Sequence, residues 1–415
     1  MKQKIAIIHY ASPPIFGGVE RVLADHIETL VSCGFDIKLI TGAGSQYRTD
    51  IEYCSVPEIN TQDATNLQIL QEVLQGQLTE TFNRRKDFFK VRLQELLADC
   101  SHAIIHNIMS MHMCLPLTLA LRELMAERQT NVKFINYIHD NVYLDDEIKE
   151  QVCNLPPVVK TWLTTLPEAH TTVAISHARA TELAGIYQVD PSRFQVIHNG
   201  VNVLKFLNIH AEVYQYLRQS HILERDVIFL YPTRIAIRKN ILRALQIVKD
   251  LVELKYKPAL LITGPIDPHL KQDATGYAHT IDQFIQDNHL EPYVFQLYRS
   301  ALFGDGLSHY DYVRDLYIMS DALLFTTKAE GFGIPIYEAA LMSKPIVCTG
   351  IPVLRELAGE NAFYLDEDAA VRPDYDQLMN FVFKHTVPSF RKIVMQKGTT
   401  QAIVENEIVP LLTNS

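Results

Sequence analysis

Short apolar runs alternate with amphipathic stretches along the whole chain. Lys4–His9, Asp36–Thr41, Ile51–Val56, His102–Asn107, Val132–His139, Thr172–Ile175 and Phe194–Ile197 are brief and rich in β-branched residues, which predicts buried strands. Between most of them apolar positions recur at helical spacing, as in Val19–Ser32 and in a long polar-faced stretch across Leu67–Ala98 that Gly76 is placed to break. The alternation then starts again. Val227–Pro232, Ala259–Thr263, Val294–Leu297, Ala322–Thr327, Pro345–Thr349 and Ala362–Leu365 read as strands. Asn240–Leu254, Ile281–Asn288, Tyr310–Met319, a segment opened by Pro335 and the short Val353–Leu357 read as the helices between them, with two helical stretches closing the chain. Strand–helix alternation in two series predicts an α/β protein of two Rossmann-like, doubly wound domains, residues 1–205 and 206–387, joined near Val201–Asn208. Residues 388–415 form a C-terminal helical segment, and the cleft between the domains is the expected site.

Bulk properties narrow the class. A chain of 415 residues accommodates two domains with full cores, and 47% hydrophobic with 21% charged residues describes an ordinary globular protein. A formal net charge of −10 argues against nucleic acid as the partner. The six cysteines (Cys33, Cys54, Cys100, Cys114, Cys153, Cys348) show no CxxC or ligand spacing and read as free thiols of a reducing compartment. The start MKQKIAIIHY lacks the apolar core and cleavage site of a signal peptide, and no run reaches membrane-spanning length, so a cytoplasmic protein is expected.

The chemistry concentrates between Asp321 and Gly350, a strand–loop–helix–strand unit. Its loop holds Glu330, Gly331, Phe332, Gly333 and Ile334, and the first turn of the following helix is expected to hold Glu338. Glycines let the backbone approach a ligand, and amides at a helix start suit a phosphate. Carboxylates on either side suit hydroxyls; a sugar nucleotide offers both groups. The strand at Val227–Pro232 is followed by Thr233-Arg234-Ile-Ala-Ile-Arg238-Lys239-Asn240, in which a guanidinium and an ammonium beyond a strand's carboxyl end make a diphosphate clamp, and Asn240 is a candidate helix cap. Arg238 receives no role. After the first strand, Gly17-Gly18 sits at a strand-to-helix turn without the GxGxxG fingerprint, which counts against a dinucleotide oxidoreductase. Gly42-Ala-Gly44 reads as an ordinary turn.

The pattern E-G-F-G-I-P-x-x-E resembles the signature of retaining GT-B glycosyltransferases, especially family 4. The resemblance extends over most of the chain through G-G-x-x-R at Gly17, His139-Asp140, His198-Asn-Gly-Val-Asn202 (Asn202 where an acid is commoner), Ser176 in a V-S-like motif and R-x-x-x-x-K from Arg234 to Lys239. It implies a GT-B fold whose last helix returns to the first domain, and a hexosyl donor of the nucleoside diphosphate type, with GDP-mannose and UDP-glucose leading. His139, Arg234, Lys239 and Glu330 are the implied catalytic residues, His139 beside the sugar and leaving phosphate, Glu330 on the sugar hydroxyls. Gly17, Gly18, Phe332, Gly333, Ile334 and Glu338 are the implied donor contacts, with Glu338 on the ribose. No cofactor or metal is expected: the phosphate charge falls to Arg234, Lys239 and helix N-termini. The one Asp-x-Asp, Asp366-Glu-Asp368, reads as a solvated acidic run.

Rival functions within this fold are a sugar-nucleotide epimerase, a glycan phosphorylase, for which no cofactor lysine is indicated, and a non-catalytic sugar-nucleotide-binding subunit. The acceptor is an unspecified hydroxyl compound, met by loops at Ala11–Phe16, Asn107–Met113 and after His139. The base pocket is expected near Gly264–His269 and Tyr298–Gly304, the second longer than in relatives. Phe82–Arg92 interleaves cations with aromatics, and docking on an anionic membrane is the less favoured alternative to a solvated helix face.

Overall fold

A computed structural model describes residues 3–413 except 16, 128–130, 145–148, 150–151, 168–169, 265–270, 301, 303–308 and 385–387. The chain divides into two compact units: 1–202 with 398–415, and 203–397.

The first unit contains strands β1 (Lys4–Ala11), β2 (Asp36–Ala43), β3 (Glu52–Ser55), β4 (His102–His106), β5 (Lys133–Ile138), β6 (Thr171–Ala174) and β7 (Gln195–Val196). Its helices are α1 (Gly18–Ser32), α2 (Ala64–Leu74), α3 (Glu80–Leu97), α4 (Leu115–Ala126), α5 (Pro157–Thr164) and α6 (His177–Tyr187). The strands form one parallel sheet in the order β3-β2-β1-β4-β5-β6-β7. Both faces are covered, which is why its strands are apolar without alternation. Ile5 and Ile7 pack with Leu23 and Ile27 of α1, while Ala6 and Ile8 pack with Phe89 and Leu93 of α3 and Leu121 of α4. The expected long helix is two, parted at Gly76, which takes a left-handed φ of 84°.

In the second unit β8 (Val227–Tyr231), β9 (Pro258–Ile262), β10 (Val294–Gln296), β11 (Ala322–Phe325), β12 (Ile346–Thr349) and β13 (Ala362–Leu365) form a parallel sheet in the order β10-β9-β8-β11-β12-β13. Around it lie α7 (Val203–Leu207), α8 (Ala211–Gln219), α9 (Ile241–Glu253), α10 (Lys271–Asp287), α11 (His309–Met319), α12 (Ile334–Leu341), α13 (Pro352–Ala358), α14 (Tyr375–Lys384) and α15 (Pro388–Lys397). Counted from its own first strand, this order is 3-2-1-4-5-6, the same as that of the first six strands of the first unit. Two Rossmann-like sheets make the two-domain GT-B fold.

α15 stays with the second unit, and the chain rejoins the first at Gly398. Val201 N donates to Gly398 O and Thr400 N to Val201 O, each at 3.0 Å, a short parallel bridge to the segment after Asn199. The helical run from Thr400 to Thr413 then buries Ile403, Val404, Ile408 and Leu412 beside Leu23 and Ile27. Among the described residues no helix is long and apolar enough to cross a membrane.

Candidate active site

In each sheet the connections run one way from the first strand and the other way from the fourth, so the loops leaving these two strands diverge and open a crevice at their carboxyl ends. In the second unit those strands are β8 and β11. The β8 loop carries Arg234 and a tight turn at Ile237–Lys239; the β11 loop runs from Thr326 to Gly333. Hydrogen bonds lace the two together. Lys328 N donates to Arg238 O at 2.8 Å, Thr326 Oγ1 to Asn240 O at 2.9 Å, and Thr327 Oγ1 is shared between Ala329 O at 3.1 Å and Arg238 O at 3.2 Å. The fully buried Tyr231 hydroxyl donates to Lys239 O.

This lacing fixes the root of the Lys239 side chain. Its Nζ meets Glu330 Oε1 at 2.5 Å, with the two side chains only 13% and 10% exposed, and lies 5.3 Å from the Phe325 ring centroid. Arg238, which the sequence pattern leaves without a role, contacts Ala329 O at 3.2 Å and Glu330 Oε2 at 3.5 Å. Glu330 is thus held from two sides by cations. Arg234 is exposed, and among the described residues no carboxylate pairs with it. Asn240 does not cap α9: it takes a left-handed φ of 51°, its side chain makes no cap bond, and its carbonyl instead receives Thr326. A short polar side chain tolerates that conformation, which the cap expectation overlooked.

Gly333 opens α12 at φ 103°, and a Cβ there would press on Leu354 Cδ2 at 2.6 Å, so only glycine fits. Pro335 occupies the helix start as expected. No acidic residue stands in the first turn, which leaves the positive end of the helix uncompensated beside exposed Phe332 and Ile334. Glu338 falls just past the first turn in which it was expected, because the helix begins one residue earlier, at Ile334. Its Oε2 accepts from the Tyr317 hydroxyl at 3.0 Å. Lys239 and Glu330 are therefore brought together, while Glu338 is held separately by α11.

In the first unit the diverging strands are β1 and β4. Gly17 and Gly18 end the β1 loop and begin α1. The Glu20 carboxylate folds back over Gly17, where a Cβ would meet Oε2 at 2.1 Å, and its Oε1 lies 3.4 Å from His9 Nε2. The His9 contact holds the Glu20 carboxyl below its ordinary value. This helix end already carries a carboxylate. His139 follows β5 and is buried, its Nε2 3.0 Å from His106 Nδ1 at the end of β4. The rings of His106, Tyr137 and His139 stack at 4.9 to 5.3 Å, and His106 O accepts from His9 Nδ1 at 2.8 Å. Burial pushes His139 down to about 3, helped by His26 and His9, and pushes His26 of α1 down to about 4. His106 falls well below the imidazole range for the same reason. All three rings are neutral near pH 7.

Asn107, which the sequence places only within a candidate acceptor loop, has a specific structural part. At φ 57° its Oδ1 accepts from His139 N at 3.1 Å and Asp140 N at 2.8 Å, stapling the end of β4 to the His-Asp turn. Ser176 caps α6 by accepting from Arg179 N at 3.0 Å. Three of the five cations of α3 are engaged by other elements: Lys86 and Lys90 reach Glu123, Lys90 also Glu127, and Arg85 reaches Asp63, while the more exposed Arg84 and Arg92 lie beside Glu80 and Glu95 of their own helix. Phe82 and Phe89 are core residues. Asp366 and Asp368 accept backbone amides of their own turn at 2.8 and 2.9 Å. Most of the two expected base-binding loops (265–269; 301 and 303–304), and Phe16, lie outside the described residues.

Two family models match the chain. Glycosyltransferase Family 4 covers residues 16–204, and Glycosyl transferases group 1 covers 214–372. The chain belongs to the family 4-like GT-B glycosyltransferases. The matched segments take in every site loop just described, from Gly17 to Glu338. Among curated relatives, the chain is 24% identical to the O-antigen chain mannosyltransferase RfbU of Salmonella typhimurium over 199 residues, 47% of this chain and 46% of that one. It is 41% identical to the serotype-specific mannosyltransferase WbdA of Escherichia coli over 59 residues, 14% of this chain and 7% of the relative. The chain thus spans half or less of the curated relatives it matches. Solved structures similar along the full length of both chains include a glycosyltransferase from Rickettsia africae, 18% identical with a TM-score of 0.39. Anabaena HepE in complex with UDP and glucose is 15% identical, with a TM-score of 0.35.

Proposed function

We propose that the protein is a retaining hexosyltransferase that moves a sugar from a nucleoside diphosphate donor to a hydroxyl acceptor without a metal ion, acting in the cytoplasm. The observation that carries this is the Lys239–Glu330 pair, which joins the loop after β8, the loop that also carries exposed Arg234, to the β11 loop that leads into the start of α12. It offers positive charge for a departing diphosphate and a carboxylate for sugar hydroxyls in one place. Mannose is favoured as the hexose by the two mannosyltransferase relatives, with glucose the alternative. Among the described residues none of the six cysteines forms a disulfide, which supports a reducing compartment.

In this scheme the bond from the sugar's anomeric carbon to the diphosphate oxygen breaks with its electron pair leaving on the phosphate. The acceptor oxygen bonds from the same face and gives its proton to that phosphate. The transition state is oxocarbenium-like. Arg234, Lys239 and the amides near Phe332–Ile334 stabilise the growing anion, Glu330 holds sugar hydroxyls, and Glu338 the ribose. Neutral, buried His139 contributes a hydrogen bond rather than a proton.

Thermal stabilisation by UDP, GDP, ADP and dTDP, with Mg²⁺ or with EDTA, tests the proposal. A ligand at a hundred times its dissociation constant adds about 2.7 kcal/mol. One diphosphate shifting the transition equally in EDTA is the expected result. Stabilisation that EDTA abolishes overturns the metal-free part, and no shift with these diphosphates, GDP-mannose or UDP-glucose overturns the donor site.

A further inference from the structure

Glu338 is not free to point anywhere. Beneath it lies Tyr317, on the last turns of α11 and only 2% exposed, its ring packed in the core of the second unit. The hydroxyl is the one polar atom of that side chain, and it emerges under the start of α12. It stands 3.0 Å from Glu338 Oε2 and 3.2 Å from Pro335 O. One proton faces two acceptors, and the carboxylate is both the nearer and the charged one, so the proton points at Glu338. Burial, reinforced by Glu338, raises the phenol's pKa, so the proton stays on the oxygen.

We propose that Tyr317 is a positioning residue of the donor site: its buried hydroxyl ties down one carboxylate oxygen of Glu338 and leaves the other presented to a pair of vicinal hydroxyls on the donor's ribose. The inference rests on Glu338 contacting that ribose. A phenylalanine would fill the same core volume, and a phenol placed only to be satisfied already has Pro335 O within reach. The added element is the carboxylate. A glutamate loses rotamer freedom whenever it engages a ligand; held from below, it has lost part of it in advance.

Calorimetric binding of UDP and GDP to the full chain, with their 2′,3′-dideoxy counterparts, reads the role without knowledge of the acceptor. For whichever nucleotide binds, Tyr317→Phe should weaken the ribose form about three- to tenfold, the scale of re-immobilising one side chain, and leave the dideoxy form unchanged. In a Glu338→Ala background the same substitution should have no further effect. Tyr317→Met, a second side chain without a hydroxyl, should match Tyr317→Phe if the hydroxyl is the agent. Unequal losses, or equal losses with the dideoxy nucleotide, mean that Tyr317 acts through packing, and the proposal fails. If Glu338→Ala itself leaves affinity unchanged, or if neither these nucleotides nor ADP binds, the ribose role of Glu338 falls first and takes the positioning role with it.

Discussion

Acidification should unfold the first unit well before ordinary carboxylate titration would. His26, His106 and His139 form a buried set behind β4 and β5, with His26 down at about 4, His139 at about 3 and His106 lower than usual, all chiefly by burial. In the unfolded chain each takes a proton near 6.5, whereas in the fold it does not until the pH is far lower. Between those limits the unfolded state binds more protons, so stability is complete above pH 6.5 and is lost as the pH falls towards 4. Each group contributes a loss of about 1 kcal/mol at pH 6 and about 2 kcal/mol at pH 5. For the three together the loss at pH 5 is about 6 kcal/mol, comparable with the roughly 5–15 kcal/mol that holds a domain. The protein has a single tryptophan, Trp162 on α5, packed against Phe82 at 5.8 Å between centroids. Urea unfolding followed by its fluorescence therefore reports this unit alone. The wild type should lose about 6 kcal/mol between pH 7 and pH 5, and His26→Leu about 2 kcal/mol less than that. Among the described residues His26 Nε2 has no hydrogen-bond partner, so its removal sacrifices no bond to them. Equal stability at both pH values, or an unchanged acid loss in His26→Leu, would refute the account.

Three further outcomes are expected. Arg234→Ala and Lys239→Ala should each lower transfer or donor hydrolysis by roughly 10²–10³-fold, the scale for one preorganised charge donor, and unchanged turnover in both removes them from the mechanism. Lys239→Met should also destabilise the second unit by about 3 kcal/mol, because among the described residues the cation left to Glu330 is Arg238 at 3.5 Å, and adding Glu330→Gln should recover most of that in calorimetry. Finally, the protein should not float with anionic vesicles even at low salt, since Arg85, Lys86 and Lys90 of α3 are engaged by Asp63, Glu123 and Glu127, and its more exposed Arg84 and Arg92 lie beside Glu80 and Glu95; flotation would show that this face binds lipid after all.

Much of the fold was open to inspection in the sequence because parallel strands covered on both faces must be apolar throughout. Ile5 to Ile8 and Ala322 to Phe325 announce themselves for that reason. The strand order was legible only as a class. Helix boundaries shifted where a local conformation overrode propensity: α12 begins at Ile334 because Gly333 supplies the left-handed turn, and that one displacement moves Glu338 from the first turn to the second. The return of the chain at Gly398 is a matter of tertiary pairing with Val201, which no periodicity encodes.

The candidate site divides along the same line. Residues whose chemistry depends on their own loop, such as Gly17, Gly333 and Glu330, carry a signature of spacing. Residues that act through a partner far along the chain do not. Arg238 meets Glu330 across 92 positions, His106 meets His139 across 33, and Tyr317 meets Glu338 across 21. In each case the pairing exists because two neighbouring elements of a doubly wound sheet end side by side. β8 lies next to β11, β4 next to β5, and α11 leads into the strand from which α12 departs. Given the strand order, a buried tyrosine on the helix before β11 and a polar residue at the end of β4 become identifiable candidates. The supporting contacts are therefore readable from the sequence only after the topology is known, whereas the candidate site loops are readable before it.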